Sequence, residues 1–163
     1  MAAATLECTA SEILVGMGQV TLAEAPARLR AILGSCVAVA VFHPRHQLAA
    51  LAHVVLPAAM GRSGPPGKYA DTALPHILAA MKAAGVGPAG LVAKIAGGAN
   101  MFAHRGPLQI GDGNIQAVLA ALSAHGIAVI GRDVGGNAGR RVTLCPASGE
   151  LVVECAGKPP RVI

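Results

Sequence analysis

Aromatic residues are almost missing from this chain: one Tyr, two Phe and no Trp stand among 163 residues, 2% in all. Without stacking side chains there is no platform for single-stranded nucleic acid. Charge is also sparse, at 13%, while apolar residues make up 53%. That balance excludes a disordered chain, which needs low hydrophobicity and high net charge. Thirteen Lys and Arg against eight Asp and Glu leave a formal net charge of +5. The basic residues are scattered rather than gathered into a stripe, so the expectation is no nucleic-acid partner. The core must be built from Ala, Val, Leu and Gly, side chains of short reach that suit closely packed layers.

No run is long and apolar enough to cross a bilayer, which takes roughly 20 residues. The uncharged stretch 46–61 is broken by His53 and Pro57, and the stretch 31–42 is too short. Residues 1–11 hold no Lys or Arg and carry Glu7, unlike the basic start of a secretory signal. The expectation is a cytoplasmic protein with no membrane insertion. The four cysteines, Cys8, Cys36, Cys145 and Cys155, form no C-x-x-C pair, so a zinc knuckle is not expected. His43 and His46 share a turn, but no third ligand accompanies them. Neither a metal nor another cofactor is expected.

Along the chain, residues 1–12 read as a loose tail and 13–163 as a single domain. Residues 13–20 read as a weak strand and 25–30 as a short connection. Two apolar runs follow, V-A-V-A-V-F at 37–42 and L-A-A-L-A-H-V-V-L at 48–56, parted by a Pro-containing turn. Residues 58–68 hold three glycines and two prolines and form a loop. A helix capped by Asp71 shows an apolar face at Leu74, Ile77, Leu78 and Met81 and stops at Gly85. A buried strand is expected at 91–96. A second helix, 113–125, is capped by Asp112, and a strand follows at 127–131. A tight turn at 134–137 precedes a hairpin of 141–145 with 151–155. The fold class is α/β (α+β): a layered sandwich of mostly antiparallel strands, read as one sheet with two helices packed on it.

Familiar chemical motifs are absent. Residues 61–68 look like a phosphate loop but fail its pattern at both ends, and no G-x-G-x-x-G links a strand to a helix. The informative segment is Leu33-Gly34-Ser35-Cys36. If the two apolar runs pair as a hairpin centred between Pro44 and Arg45, Cys36 falls directly opposite His53, on one face of the sheet. An imidazole beside a thiol can take its proton, lower its pKa and later protonate a leaving amine. Backbone N–H groups at the Gly34–Ser35 bend could hold an oxyanion, each well-placed donor worth about 3 kcal/mol. Spacing alone leaves a second reading open: Cys36 as strand-end packing and His53 as a core histidine, the commoner fate of such residues. For His43, His46, His76, His104 and His125, in turns, helices or loops, no chemistry is indicated.

Taken together, L-G-S-C-V at 33–37, A-H-V-V-L-P at 52–57, P-G-K-Y-A-D at 66–71, K-I-A-G-G-A at 94–99 and D-V-G-G-N at 133–137 resemble the CheD family of chemotaxis deamidases. The matching stretches run nearly the whole chain. The resemblance implies a protein-glutamine glutaminase that converts selected glutamines of methyl-accepting chemoreceptors to glutamate, releasing ammonia through a Cys–His thioester mechanism. The family's nucleophile falls on Cys36 and its histidine on His53. The implied partners are the cytoplasmic helices of the receptors and, in some systems, a CheC-type phosphatase. The implied fold is similar to the catalytic domain of the cytotoxic necrotizing factor deamidases.

One position departs from the family. A Thr five or six residues before the nucleophile is expected as the third catalytic member, and Arg30 and Ala31 stand there instead. A backbone carbonyl could orient the imidazole in its place. The departure keeps an alternative open, a binding module that regulates a CheC-type phosphatase with little catalysis. A cysteine hydrolase of another class, such as an amidase or peptidase, is the third reading.

Overall fold

In the computed structural model, which describes residues 11–101 and 109–163, ten strands and two helices form three layers. The expected tail lies mostly outside the described residues, and so does the stretch containing His104. Strands β1 (Glu12–Leu14), β3 (Arg28–Leu33), β8 (Arg140–Cys145), β9 (Glu150–Glu154) and β10 (Arg161–Val162) form one sheet in the order β1-β3-β8-β9-β10. Strands β2 (Val20–Glu24), β4 (Val37–Phe42), β5 (Leu48–Val54), β6 (Val92–Gly97) and β7 (Ala128–Val134) form the other in the order β2-β5-β4-β6-β7. Helices α1 (Ala70–Ala83) and α2 (Ile110–Ala124) cover the outer face of the second sheet. The single sheet read from the sequence is therefore two sheets face to face. Pairing is mostly antiparallel, with β1–β3 and β6–β7 parallel.

The alternation V-A-V-A-V in β4 decides how the layers meet. Val37, Val39 and Val41 point to the helices and share a core with Leu74, Ile77, Met81, Val118 and Leu122. Ala38 and Ala40 point to the first sheet and share a core with Leu29, Ala31, Leu33, Val142 and Leu144. Successive strand residues face opposite sides, so a strand with two apolar faces is buried on both. Small residues on the inter-sheet side let the sheets approach closely, with Phe42 as the one aromatic ring in that core among the described residues.

Two expectations are corrected. The span 25–30, expected as a connection, contains the start of β3. Its residues R-L-R-A-I-L alternate outward Arg28, Arg30 and Ile32 with buried Leu29, Ala31 and Leu33. The guanidinium groups, which suggested a loop, are the solvent face of an outer sheet. The expected strand 13–20 is split. Residues 12–14 join the first sheet, a turn closes with Gln19 N–H donating to Gly16 O at 3.0 Å, and Val20 opens β2 in the second sheet. The segment changes sheets within a few residues. Neither acidic residue caps its helix. The N-caps are Tyr69 and Gln109, and Asp71 lies in the first turn and accepts the N–H of Ala59 at 3.1 Å.

Leu51 is fully buried between the sheets, whereas Ile32 is 63% exposed on the outer face. Leu51→Ala is expected to destabilise by about 2–5 kcal/mol in urea unfolding, and Ile32→Ala by less than about 0.5 kcal/mol. Equal losses would contradict the layer assignment.

Candidate active site

Cys36 and His53 both face the inter-sheet layer. Cys36 immediately precedes β4 and is 8% exposed, and His53 lies in β5 and is 3% exposed. The observed register pairs Val37 with Val54 and Ala38 with His53. The hairpin is thus shifted by two residues from the one expected, and Cys36 is not directly opposite His53. A two-residue shift keeps the face, because side chains alternate with period two. Cys36 sits diagonally from His53, one position beyond the Ala38–His53 pair on the same face. Diagonal neighbours of this kind are about 7–8 Å apart along the backbone and closer at the side chains.

The imidazole is oriented by the chain that switches sheets. His53 Nδ1 lies 3.0 Å from the carbonyl oxygen of Val15. A carbonyl only accepts, so Nδ1 carries the hydrogen and Nε2 is left as a base. Nε2 is buried and has no hydrogen-bond partner among the described residues. Val15 is itself held, its N–H donating to Arg30 O at 2.7 Å. Arg30 thus contributes to the site through its backbone, at a position where a Thr side chain was expected. Around His53, Gly18 N–H donates to His53 O at 2.9 Å and His53 N–H to Gln19 O at 3.0 Å. Gly67 packs against this segment so closely that a Cβ there would lie 2.6 Å from Gln19 O.

The loop before the thiol is held by its carbonyls. Ala99 N–H donates to Gly34 O at 3.0 Å, Asn114 Nδ2 to Ser35 O at 3.0 Å, and Gly98 N–H to Cys36 O at 2.8 Å. No acceptor among the described residues takes the N–H of Ser35 or Cys36. Gly97 has φ +107°, and a Cβ on it would collide with the Cys36 carbonyl. Only glycine fits there without strain. The turn at 135–136 braces this region: Gly135 N–H donates to Gly97 O at 2.9 Å, and buried Arg140 binds Asp133 Oδ1 at 2.9 Å and the carbonyl of Gly135. A groove of about 650 Å³ opens at Gly34, lined also by Ile32, Leu33 and Met101.

Burial pushes the Cys36 thiol above its ordinary pKa. Burial also lowers His53, an effect partly opposed by the Val15 carbonyl. Both directions favour a neutral thiol beside a neutral imidazole, not the ion pair expected from the sequence. Val15 and Asn114 were missed by sequence reasoning. Val15 acts through its main chain, which leaves no mark in a sequence. Asn114 left one: it is a polar residue on the buried face of α2, in line with Val118 and Leu122. His43 and His46 stack edge to face at 4.8 Å. No group of three or more His, Cys, Asp or Glu among the described residues could hold a metal ion. No described helix is long and apolar enough to cross a membrane.

A thiol, an imidazole oriented with Nε2 free and backbone N–H groups without acceptors among the described residues are the kinds of group that a cysteine-dependent acyl-transfer site uses. The family model for CheD chemotactic sensory transduction matches residues 55–155. A probable chemoreceptor glutamine deamidase CheD of Symbiobacterium thermophilum is 40% identical over 152 residues, covering 88% of this chain and 92% of that protein. The chemoreceptor glutamine deamidase CheD of Thermotoga maritima is 39% identical, covering 88% of this chain and 92% of that one. A probable CheD deamidase of Archaeoglobus fulgidus is 38% identical, with 88% and 93% covered. The chain belongs to the CheD family. Among solved structures, the hypothetical protein YfiH of Bacillus licheniformis is similar at a TM-score of 0.43 and 16% identity, covering 72% of this chain and 49% of that one.

With both groups neutral at rest, alkylation of Cys36 by iodoacetamide should climb through the alkaline range without a plateau at acidic pH. Peptide mapping across pH will show this, and a flat, fast rate below neutrality would mean a preformed thiolate.

Proposed function

We propose that the protein is a protein-glutamine glutaminase acting on the cytoplasmic helices of chemoreceptors. The observation that carries this reading is the Val15 carbonyl on His53 Nδ1, which leaves a buried, unpartnered Nε2 in the same layer as Cys36. The names of the relatives, chemoreceptor glutamine deamidases, supply the substrate.

The steps follow from the proton positions. Nε2 of His53 takes the thiol proton as Cys36 Sγ attacks the carboxamide carbon of a receptor glutamine. The oxygen becomes an oxyanion and is received by the N–H groups of Ser35 and Cys36. The imidazolium gives its proton to the departing nitrogen, ammonia leaves, and a thioester remains on Cys36. His53 then deprotonates a water that attacks the thioester, releasing glutamate and the thiol. The Val15 carbonyl takes the place of the family's Thr: it fixes the tautomer and stabilises the imidazolium that forms. The formal net charge of +5 favours docking on acidic receptor helices. The likeness to the cytotoxic necrotizing factor catalytic domain belongs to this proposal and rests on the motif resemblance alone.

The loop 58–68 is held by several hydrogen bonds. Val55 and Leu56 N–H both donate to Lys68 O, Arg62 bonds Ala58 O and Ala59 O, and Tyr69 Oη donates to Ser63 O. Through Lys68 O it supports the strand end beyond His53.

Incubation with a receptor cytoplasmic fragment should release ammonia and raise the fragment's mass by about one unit per converted glutamine, without cutting it. Cys36→Ala should abolish the release, and His53→Ala should lower its rate at least about a hundredfold. Full activity in Cys36→Ala would overturn the mechanism. Because a neutral His53 is the base and its pKa is lowered, the acid limb of kcat/KM should fall below about 6.5, the usual histidine value.

A further inference from the structure

Asn114 is fully buried, and its amide is used in one direction only. Nδ2 donates to Ser35 O at 3.0 Å and to Val55 O at 2.9 Å, while Oδ1 has no partner among the described residues. A flipped amide would set its oxygen against two carbonyl oxygens, so the donors must face them. The side chain therefore ties the loop that carries Cys36 to the residue just beyond the end of β5, two positions after His53.

The bond to Ser35 O has a specific consequence. The Ser35–Cys36 peptide is trans and planar, so its N–H points away from its carbonyl. Anchoring Ser35 O on Asn114 turns the Cys36 N–H away from α2, and no acceptor among the described residues takes it. Gly34 O and Cys36 O are held by backbone N–H groups of Ala99 and Gly98, which no side-chain substitution removes. Asn114 is the one side chain that holds a carbonyl of this loop among the described residues.

We propose that Asn114 is a positioning residue, setting the Cys36 N–H as an oxyanion donor and fixing the nucleophile loop relative to the strand of the base. The inference rests on Cys36 being the nucleophile proposed above. Loss of the amide lets the peptide rotate and weakens stabilisation of the tetrahedral intermediate, while the sulfur itself remains in place.

Two reagents separate these effects on one atom. Iodoacetamide alkylates sulfur by displacement at a saturated carbon and forms no oxyanion. p-Nitrophenyl acetate transfers its acetyl group to sulfur through a tetrahedral intermediate, expelling p-nitrophenolate. In the full chain carrying Asn114→Ala, acetylation of Cys36 should fall at least about tenfold while its alkylation stays within about threefold, both mapped by peptide mass spectrometry. Asn114→Ser, which keeps one donor, should give an intermediate ratio, and it carries the test if the alanine variant does not fold. Parallel loss of both reactions, no change in either, or a wild-type Cys36 that is alkylated but never acetylated would each overturn the proposal. Neither reagent is a glutamine, so an inactive wild-type chain on receptor fragments would count against the deamidase reading and leave this ratio to be read. Where deamidation is observed, Asn114→Ala should lower kcat with KM for the fragment unchanged.

Discussion

A single hydrogen bond, from His53 Nδ1 to the carbonyl of Val15, is the constraint around which the candidate site is arranged. An imidazole buried between two sheets needs a partner for its N–H, because an unpaired buried donor costs about 1–3 kcal/mol. Meeting that need with a carbonyl also selects the tautomer and leaves the opposite nitrogen as a base. Val15 can serve because the chain leaves the first sheet at residue 14 and enters the second at residue 20. Its carbonyl is presented at the seam between the layers.

The fold was partly readable. β4 and β5, both helices and the β8–β9 hairpin follow from alternation and periodicity, with ends within a few residues of those observed. What was lost were segments whose composition disagrees with their setting. Arg28 and Arg30 flank buried leucine and alanine in β3, and attention to charge over period two hid the strand. The division into two sheets was not readable, since one pattern of buried strand serves either arrangement.

For the site, Cys36 and His53 emerged from a register that was two residues out yet on the correct face. That tolerance is a property of the pleat, where a two-residue error preserves which side chains share a layer. The backbone contributions were invisible for the opposite reason: a carbonyl is the same in every residue. The G-K-Y-A-D motif also acquires a physical reading. Gly67 permits a close approach to the Gly18–Gln19 segment beside His53, Lys68 O takes two N–H groups beyond β5, and Asp71 anchors the loop at Ala59. These residues shape the surroundings of the imidazole.

The contacts that prepare the site are distant along the chain: 38 residues separate Val15 from His53, and 79 separate Ser35 from Asn114. Contacts of such separation form only after the intervening chain has been ordered. A nascent or half-folded polypeptide therefore holds a sulfur and an imidazole with no fixed relation between them. The geometry of the proposed site arrives only with the completed tertiary structure.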